Sequence, residues 1–181
     1  HKGYMQIVSD VMGATELLVA GINEIDGIEV LGKPDMCMFT MAATDGRINV
    51  YQLADMMKAK GWYLQPQFAR ANSPSNLHVS LSQSTMPQAT AMLADLKETV
   101  AELKTVEVDP ETLDLRREIA NLSMKFDEDS FFNLAAMAGV TGDQLPDSME
   151  RVNQLLEALP NDVSEFMLIE FMNNLMVPDR T

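Results

Sequence analysis

Cysteine is almost missing from this 181-residue chain, where Cys37 stands alone. That excludes an internal disulfide and a multi-cysteine metal site. Cys37 lies in an apolar run and reads as a small buried hydrophobe. Histidine is nearly as scarce, with only His1 and His78. So few imidazoles leave no Ser/His/Asp set to argue. The 9 glycines are scattered at the ends of predicted elements, and none forms a phosphate-cradling loop. No apolar run approaches the roughly 18–20 residues needed to span a bilayer, and no signal-peptide pattern opens the chain. A cytoplasmic location without a membrane span is the expectation. Basic charge is short too, leaving a net charge of −14. Residues 1–105 carry 8 basic and 11 acidic side chains, and residues 106–181 carry 5 and 16. Net charges of −3 and −11 follow. The second block repels phosphate backbones, which argues against a nucleic-acid partner.

What is present fits a globular protein. Hydrophobic residues make up 46% of the chain and charged residues 22%. The length suits one domain, or a domain with a helical extension. The charge step places the boundary near residue 105, giving 1–105 and 106–181. The 15 methionines fall mostly on apolar stripes and read as core filling.

The first block has the clearer punctuation. Tyr4, Ile7, Val8, Val11, Met12, Thr15, Leu18, Val19 and Ile22 recur at helical spacing, and Gly27 ends that helix. Residues 28–31 and 36–41 read as strands separated by a Gly32–Asp35 turn. Asp45-Gly46 marks the next turn. Asn49 caps a second helix, with Gln52 three residues on and Ile48 and Leu53 placed as a hydrophobic staple. Lys58 and Lys60 favour the negative end of its dipole, and Gly61 stops it. Residues 62–65 read as a strand and 65–75 as a polar loop. Leu77, Val79 and Leu81 alternate with His78, Ser80 and Ser82, a half-buried strand. Thr85 and Gln88 suggest a capping box for a third helix that buries Ala89, Met92, Leu93, Leu96, Val100 and Leu103. Helix, strand, strand, helix, strand, strand, helix predicts an α+β unit: a small, mostly antiparallel sheet covered by helices on one face.

The second block is helical throughout. Leu113, Arg116, Arg117, Ala120 and Met124 sit near one another on a first helix. Asp129 or Ser130 starts a second, carrying Phe131, Leu134, Ala135 and Ala138 and closed by Gly139. Asp147 or Ser148 starts a third, which buries Met149, Val152, Leu155, Leu156 and Leu159. Ser164 starts a fourth with Phe166, Ile169, Phe171, Met172 and Leu175, apolar on most of its circumference. Asp127-Glu128-Asp129 lacks the glycine and distal glutamate of a calcium loop and reads as an acidic helix start.

One stretch points to a family. Val50-Tyr51-Gln52-Leu53-Ala54-Asp55-Met56-Met57, then Ala59-Lys60-Gly61-Trp62-Tyr63-Leu64, then Leu77-His78-Val79-Ser80-Leu81 resembles the C-terminal small domain of the pyridoxal-phosphate-dependent group II decarboxylases. The sphingosine-1-phosphate-lyase-like branch is the nearest, and the resemblance covers about residues 3–104. It implies an aminotransferase-type small domain. It also implies a parent lyase or decarboxylase that cleaves at an amine-bearing carbon of an amino acid or a phosphorylated long-chain amine. The parent's cofactor would be pyridoxal phosphate, held by a large domain this chain lacks. No cofactor is then expected on this chain alone. In the family the cofactor lysine follows a histidine well upstream. His1-Lys2 runs straight into Gly3-Tyr4, so Lys2 reads as an ordinary helix-start residue. No catalytic, cofactor-binding or metal residue is expected here. Two residues remain as substrate-cleft candidates. His78 lies on the polar face of its strand. Arg70 lies in the preceding loop, where related enzymes use an arginine as a carboxylate clamp. A homo-oligomer is expected. The competing reading is a stand-alone, non-catalytic interaction module that reuses the fold.

Overall fold

The computed structural model describes residues 2–105, 107, 110–121, 135–140, 146–160, 164–165 and 169. The chain divides into two compact units, His1–Glu107 and Val108–Thr181.

In the first unit, α1 (Lys2–Asn23) is built on apolar positions spaced by three and four. Asn23 ends the helix and then serves the sheet, because its Oδ1 accepts a hydrogen bond from the Val30 N–H at 2.8 Å. That bond occupies a donor of β1 (Ile28–Val30), an edge strand that would otherwise invite pairing. Gly27 makes the turn between them at φ +103°, where a side chain would be strained. The next strand, β2 (Met38–Ala43), starts two residues later than the apolar run suggested. Met36 stands exposed, and Cys37 packs half-buried against the core.

The second helix, α2 (Val50–Ala59), starts as its sequence predicts. Asn49 Oδ1 accepts from the Tyr51 and Gln52 N–H groups at 2.8 and 3.3 Å. Ile48 and Leu53 are both buried, and Gly61 stops the helix at φ +92°. The strand expected over 62–65 is displaced. Trp62 Nε1 instead donates to Asp95 Oδ2 at 2.7 Å, and Leu64 turns into the core. Pairing begins only at β3 (Gln65–Gln67), so part of the expected loop is strand. Pro66 is tolerated there because β3 is an edge strand. A tight turn follows, with mutual backbone bonds between Arg70 and Ser73, before β4 (Asn76–Ser80).

The strands form an antiparallel sheet of order β1-β2-β4-β3. A single 3-10 turn, Met86–Gln88, then leads into α3 (Ala89–Leu103). Thr85 is not the cap its spacing suggested. Its backbone is already helical, and its hydroxyl accepts from the Ser82 N–H at 2.9 Å, closing the turn before the helix.

Register sorts the sheet into two faces. Ile28, Val30, Phe39, Met41, Leu77 and Val79 share one, and all are buried. They pack in a single core with Leu18 and Ile22 of α1, Leu53 and Met57 of α2, and Leu96 and Val100 of α3. Each such side chain contributes roughly 1.5–3 kcal/mol on burial. Among the described residues, α1 is the one helix long and apolar enough by length and composition to cross a membrane. Asp10 and Glu16 interrupt its apolar run in the sequence. Only 22% of that span is buried, and it lies near the N-terminus.

The second unit contains α4 (Pro110–Asn121) and α5 (Glu150–Ala158). Its core holds Leu115, Ala135, Ala138, Val152, Leu155 and Leu159. Leu113, expected on the shared stripe of the first helix, is exposed, while Thr112 and Leu115 are buried. Arg151 of α5 reaches α4, donating to Thr112 Oγ1 at 3.1 Å and Glu111 Oε2 at 2.6 Å. Gly139 closes residues 135–138 at φ +86°. The helix expected from Asp147 or Ser148 begins at Glu150, with Met149 in the cap position. The acidic triplet 127–129, Phe131 and Leu134 lie outside the described residues, as does most of the fourth helix.

Candidate functional site

The second face of the sheet carries different chemistry. Alternation puts Glu29, Met38, Thr40, Ala42, Gln65, Gln67, Asn76, His78 and Ser80 there, with Ala42 and Asn76 buried. None of them belongs to the buried core. His78 sits centrally, on β4, with Thr40 beside it on β2 and Gln65 on β3. The three polar side chains form a row across the sheet. His78 Nε2 and Ser80 Oγ share a hydrogen bond of 3.0 Å, which steadies the half-buried ring.

A shallow, open groove of about 220 Å³ lies at the Thr40–His78 end of this row. Leu31, Lys33, Pro34, Met38, Phe39, Thr40 and His78 line it. Lys33 and Pro34 come from the β1–β2 turn, so a turn and two strands converge at this point. The lining offers an ammonium, an imidazole and a hydroxyl over an apolar floor. Such a surface can attract an anionic or polar group and hydrogen-bond it. It does not enclose one.

The sequence candidates thus part company. His78 lines the groove. Arg70 does not; it is exposed at a tight turn and hydrogen-bonded through its backbone to Ser73 at 2.8 and 3.0 Å. Ala71 in that turn adopts φ +50°, a conformation glycine prefers. Thr40, Gln65 and Lys33 were not singled out from sequence. Cross-strand register brings Thr40 and Gln65 to His78, and register is not visible in a single strand's pattern.

Among the described residues the clearest electrostatic perturbation lies in the turn before α2. The Arg47 guanidinium hydrogen-bonds Asp45, with Nη2 to Oδ2 at 2.6 Å, and the Arg47 backbone N–H adds a bond of 3.0 Å. Together they hold the Asp45 carboxyl well below the usual carboxylate range. This pair stiffens the turn into α2. Lys60 is raised by its hydrogen bond to Glu98 at 2.8 Å.

Pyridoxal phosphate needs a lysine, a grip on its phosphate and a partner for its pyridine nitrogen. The groove supplies one amine, Lys33, and no carboxylate, and it is open to solvent. Among the described residues no glycine-rich loop cradles a phosphate there. These residues do not make a site for the cofactor by themselves.

Residues 87–174 match a family model described as "Pyridoxal-dependent enzyme, C-terminal putative HTH domain". The match runs from the 3-10 turn through α3 into the second unit, a part to which the sequence reading carried nothing over. Its signal there is amphipathic helices without a motif. The chain is 30% identical over 104 residues to sphingosine-1-phosphate lyase of Arabidopsis thaliana, covering 58% of this chain and 18% of that protein. It is 28% identical over 103 residues to the Oryza sativa lyase, again 18% of its length. The aligned region therefore spans under a fifth of either relative. In solved structures, glutamate decarboxylase of Lactobacillus brevis shares the fold at a TM-score of 0.53 and 17% identity, over 59% of this chain and 26% of that one. A sphingosine-1-phosphate lyase of Burkholderia pseudomallei does so at 0.50 and 19%, over 70% and 27%. The chain is homologous to the C-terminal domain of the pyridoxal-phosphate-dependent group II decarboxylases and their sphingosine-1-phosphate-lyase-like relatives.

Proposed function

We propose that this chain is the C-terminal portion of a pyridoxal-phosphate-dependent carbon–carbon lyase or decarboxylase. Its first unit closes over a cofactor and substrate held by a large domain of the same protein. The observation that carries this reading is the division of the sheet. One face is spent on the core, and the other presents Thr40, His78 and Gln65 in a row beside Lys33. A polar row over an apolar floor suits the wall of a cleft whose opposite wall comes from elsewhere. The cofactor, held by that opposite wall, supplies the electron sink for cleavage at the amine-bearing carbon. The residues of this chain exclude water and orient the substrate. His78, steadied by Ser80, donates or accepts a hydrogen bond at its ring. Lys33 draws in negative charge. The substrate is an amino acid or a phosphorylated long-chain amine, and the parent is a homo-oligomer.

On this reading the 181-residue chain alone is inert. Treating it with pyridoxal phosphate and borohydride should label its lysines weakly and without preference. Stoichiometric labelling of one lysine would overturn the assignment. In the parent enzyme, His78→Ala should lower kcat roughly tenfold or more with little change in fold. Unchanged kcat and KM would remove His78 from the cleft.

A further inference from the structure

The run that enters β2 carries two methionines on the side of the sheet that holds His78. Exposure alternates along it: Met36 is 60% exposed and Met38 45%, whereas Cys37 is half-buried against the core and Phe39 is buried. The pairing with β4 reaches back to Cys37, whose carbonyl accepts from the Leu81 N–H at 2.8 Å. Continuing the alternation puts Met36 on the side of Met38 and Thr40. In the register Met38 faces Ser80 and Thr40 faces His78, so Met38 and His78 are diagonal neighbours. Both line the groove. Diagonal neighbours on one face lie about 7–8 Å apart, within reach of a side chain as long and flexible as methionine. His78 Nε2 is already engaged by Ser80 Oγ at 3.0 Å. With the Nε2–H donating to Ser80, Nδ1 keeps its lone pair. An outer partner of this kind is what fixes the tautomer of a metal-bound imidazole. No carboxylate lines the groove, and its one ammonium is Lys33.

We propose that Met36, Met38 and His78 form a site for a soft, monovalent metal ion of the cuprous class. Thioether sulfur is a soft ligand that selects Cu(I), and imidazole suits copper as well. Two sulfurs and Nδ1 make a three-coordinate set of neutral ligands. Charge decides against the other ions. A divalent cation would meet the Lys33 ammonium with no carboxylate to offset it, and a monovalent one meets half that repulsion. Calcium and magnesium also demand oxygen ligands, which the set lacks. Cys37 stands between the two methionines, but it packs against the core on the opposite side and stays out of the set. No local spacing announces the site, because residues 36–38 and 78 meet only through strand register. The inference goes beyond the function given above. On that function, an ion held here covers part of the cleft wall and inhibits.

Silver(I) is a redox-inert stand-in for Cu(I). Silver nitrate titrated into the chain in chloride-free buffer should fill one saturable site by calorimetry. In methionine-methyl NMR spectra, assigned with Met36→Leu and Met38→Leu, those two signals should shift together with the His78 ring signals. They should stop moving at one equivalent, and calcium should move none of them. Met36→Leu, Met38→Leu and His78→Gln should each weaken binding roughly tenfold or more, and Ser80→Ala by roughly tenfold through loss of the tautomer. Leucine conserves the volume of methionine, so the melting temperatures of the first two should hold. Cys37→Ser should leave binding unchanged. The absence of a saturable silver site overturns the proposal. So does binding that Cys37→Ser abolishes, which assigns the ion to the lone thiol. So does a titration that moves other methionine signals and leaves Met36 and Met38 in place. None of these outcomes bears on the function given above, since all are read on the chain without its parent's activity.

Discussion

Leu77 and His78 are neighbours on β4, yet they sit in different media. Leu77 is fully buried, opposite Met41 and Pro66 in the register and packed among the helices. His78, one residue on, lies between Thr40 and Gln65 beside an open groove. A strand turns successive side chains to opposite faces, so one peptide unit separates the packed core from the open face. The contrast extends along the sheet. The covered face is apolar and closely packed. The other face is mostly polar; Ala42 and Asn76 are buried on it, and His78 is held there by its bond to Ser80. A domain that stabilises itself on one face is free to vary the other.

The sharpest way to break this comparison is mutation on the covered face. Leu77→Ala should cost about 3 kcal/mol in denaturant unfolding of the chain, through lost transfer energy and a residual cavity. Gly27→Ala should come next, at about 2 kcal/mol. Its φ of +103° disfavours a side chain, and a Cβ there would stand 2.6 Å from Ile48 Cδ1. Asn49→Ala removes the cap of α2 and should cost about 1 kcal/mol, with Asn49→Ser retaining most of it. Acid should act more gently. The carboxyl of Asp45 titrates lower in the folded chain than in the unfolded one. Its stabilising contribution is therefore present above the ordinary carboxylate range and drains as pH falls through that range toward the depressed value. Asp45→Asn should flatten the stability-against-pH curve below about pH 4. On the open face, His78→Ala should change stability by no more than about 0.5 kcal/mol. A loss there as large as that of Leu77→Ala would mean that the two faces are not energetically distinct.

Much of this was legible in the chain. The cap at Asn49, the stop at Gly61, the turn at Gly27 and the apolar positions of α1 and α3 are local features, set by backbone geometry within a few residues. The order of elements followed from them, as did the place of His78 on a polar face. The misplaced elements share a cause. Trp62 reads as strand by propensity, but its indole is bonded to Asp95, thirty-three residues away. Thr85 reads as a cap by spacing, but its hydroxyl closes a preceding turn. In each case a partner distant or merely adjacent in space outbid the local preference, which is worth only a fraction of a kcal/mol.

By itself, then, the sequence determined the order of helices and strands, the cap and stop of α2 and the apolar side of the first unit's helices. Those properties depend on periodicities and caps that act over one or two turns. Only the tertiary structure decided that Thr40 and Gln65 stand beside His78, that Lys33 reaches the same groove and that Arg70 does not. It alone brought Met38 diagonally across from His78. Strand order and register are settled by burying all the apolar faces at once, and that condition has no address in any single stretch of chain.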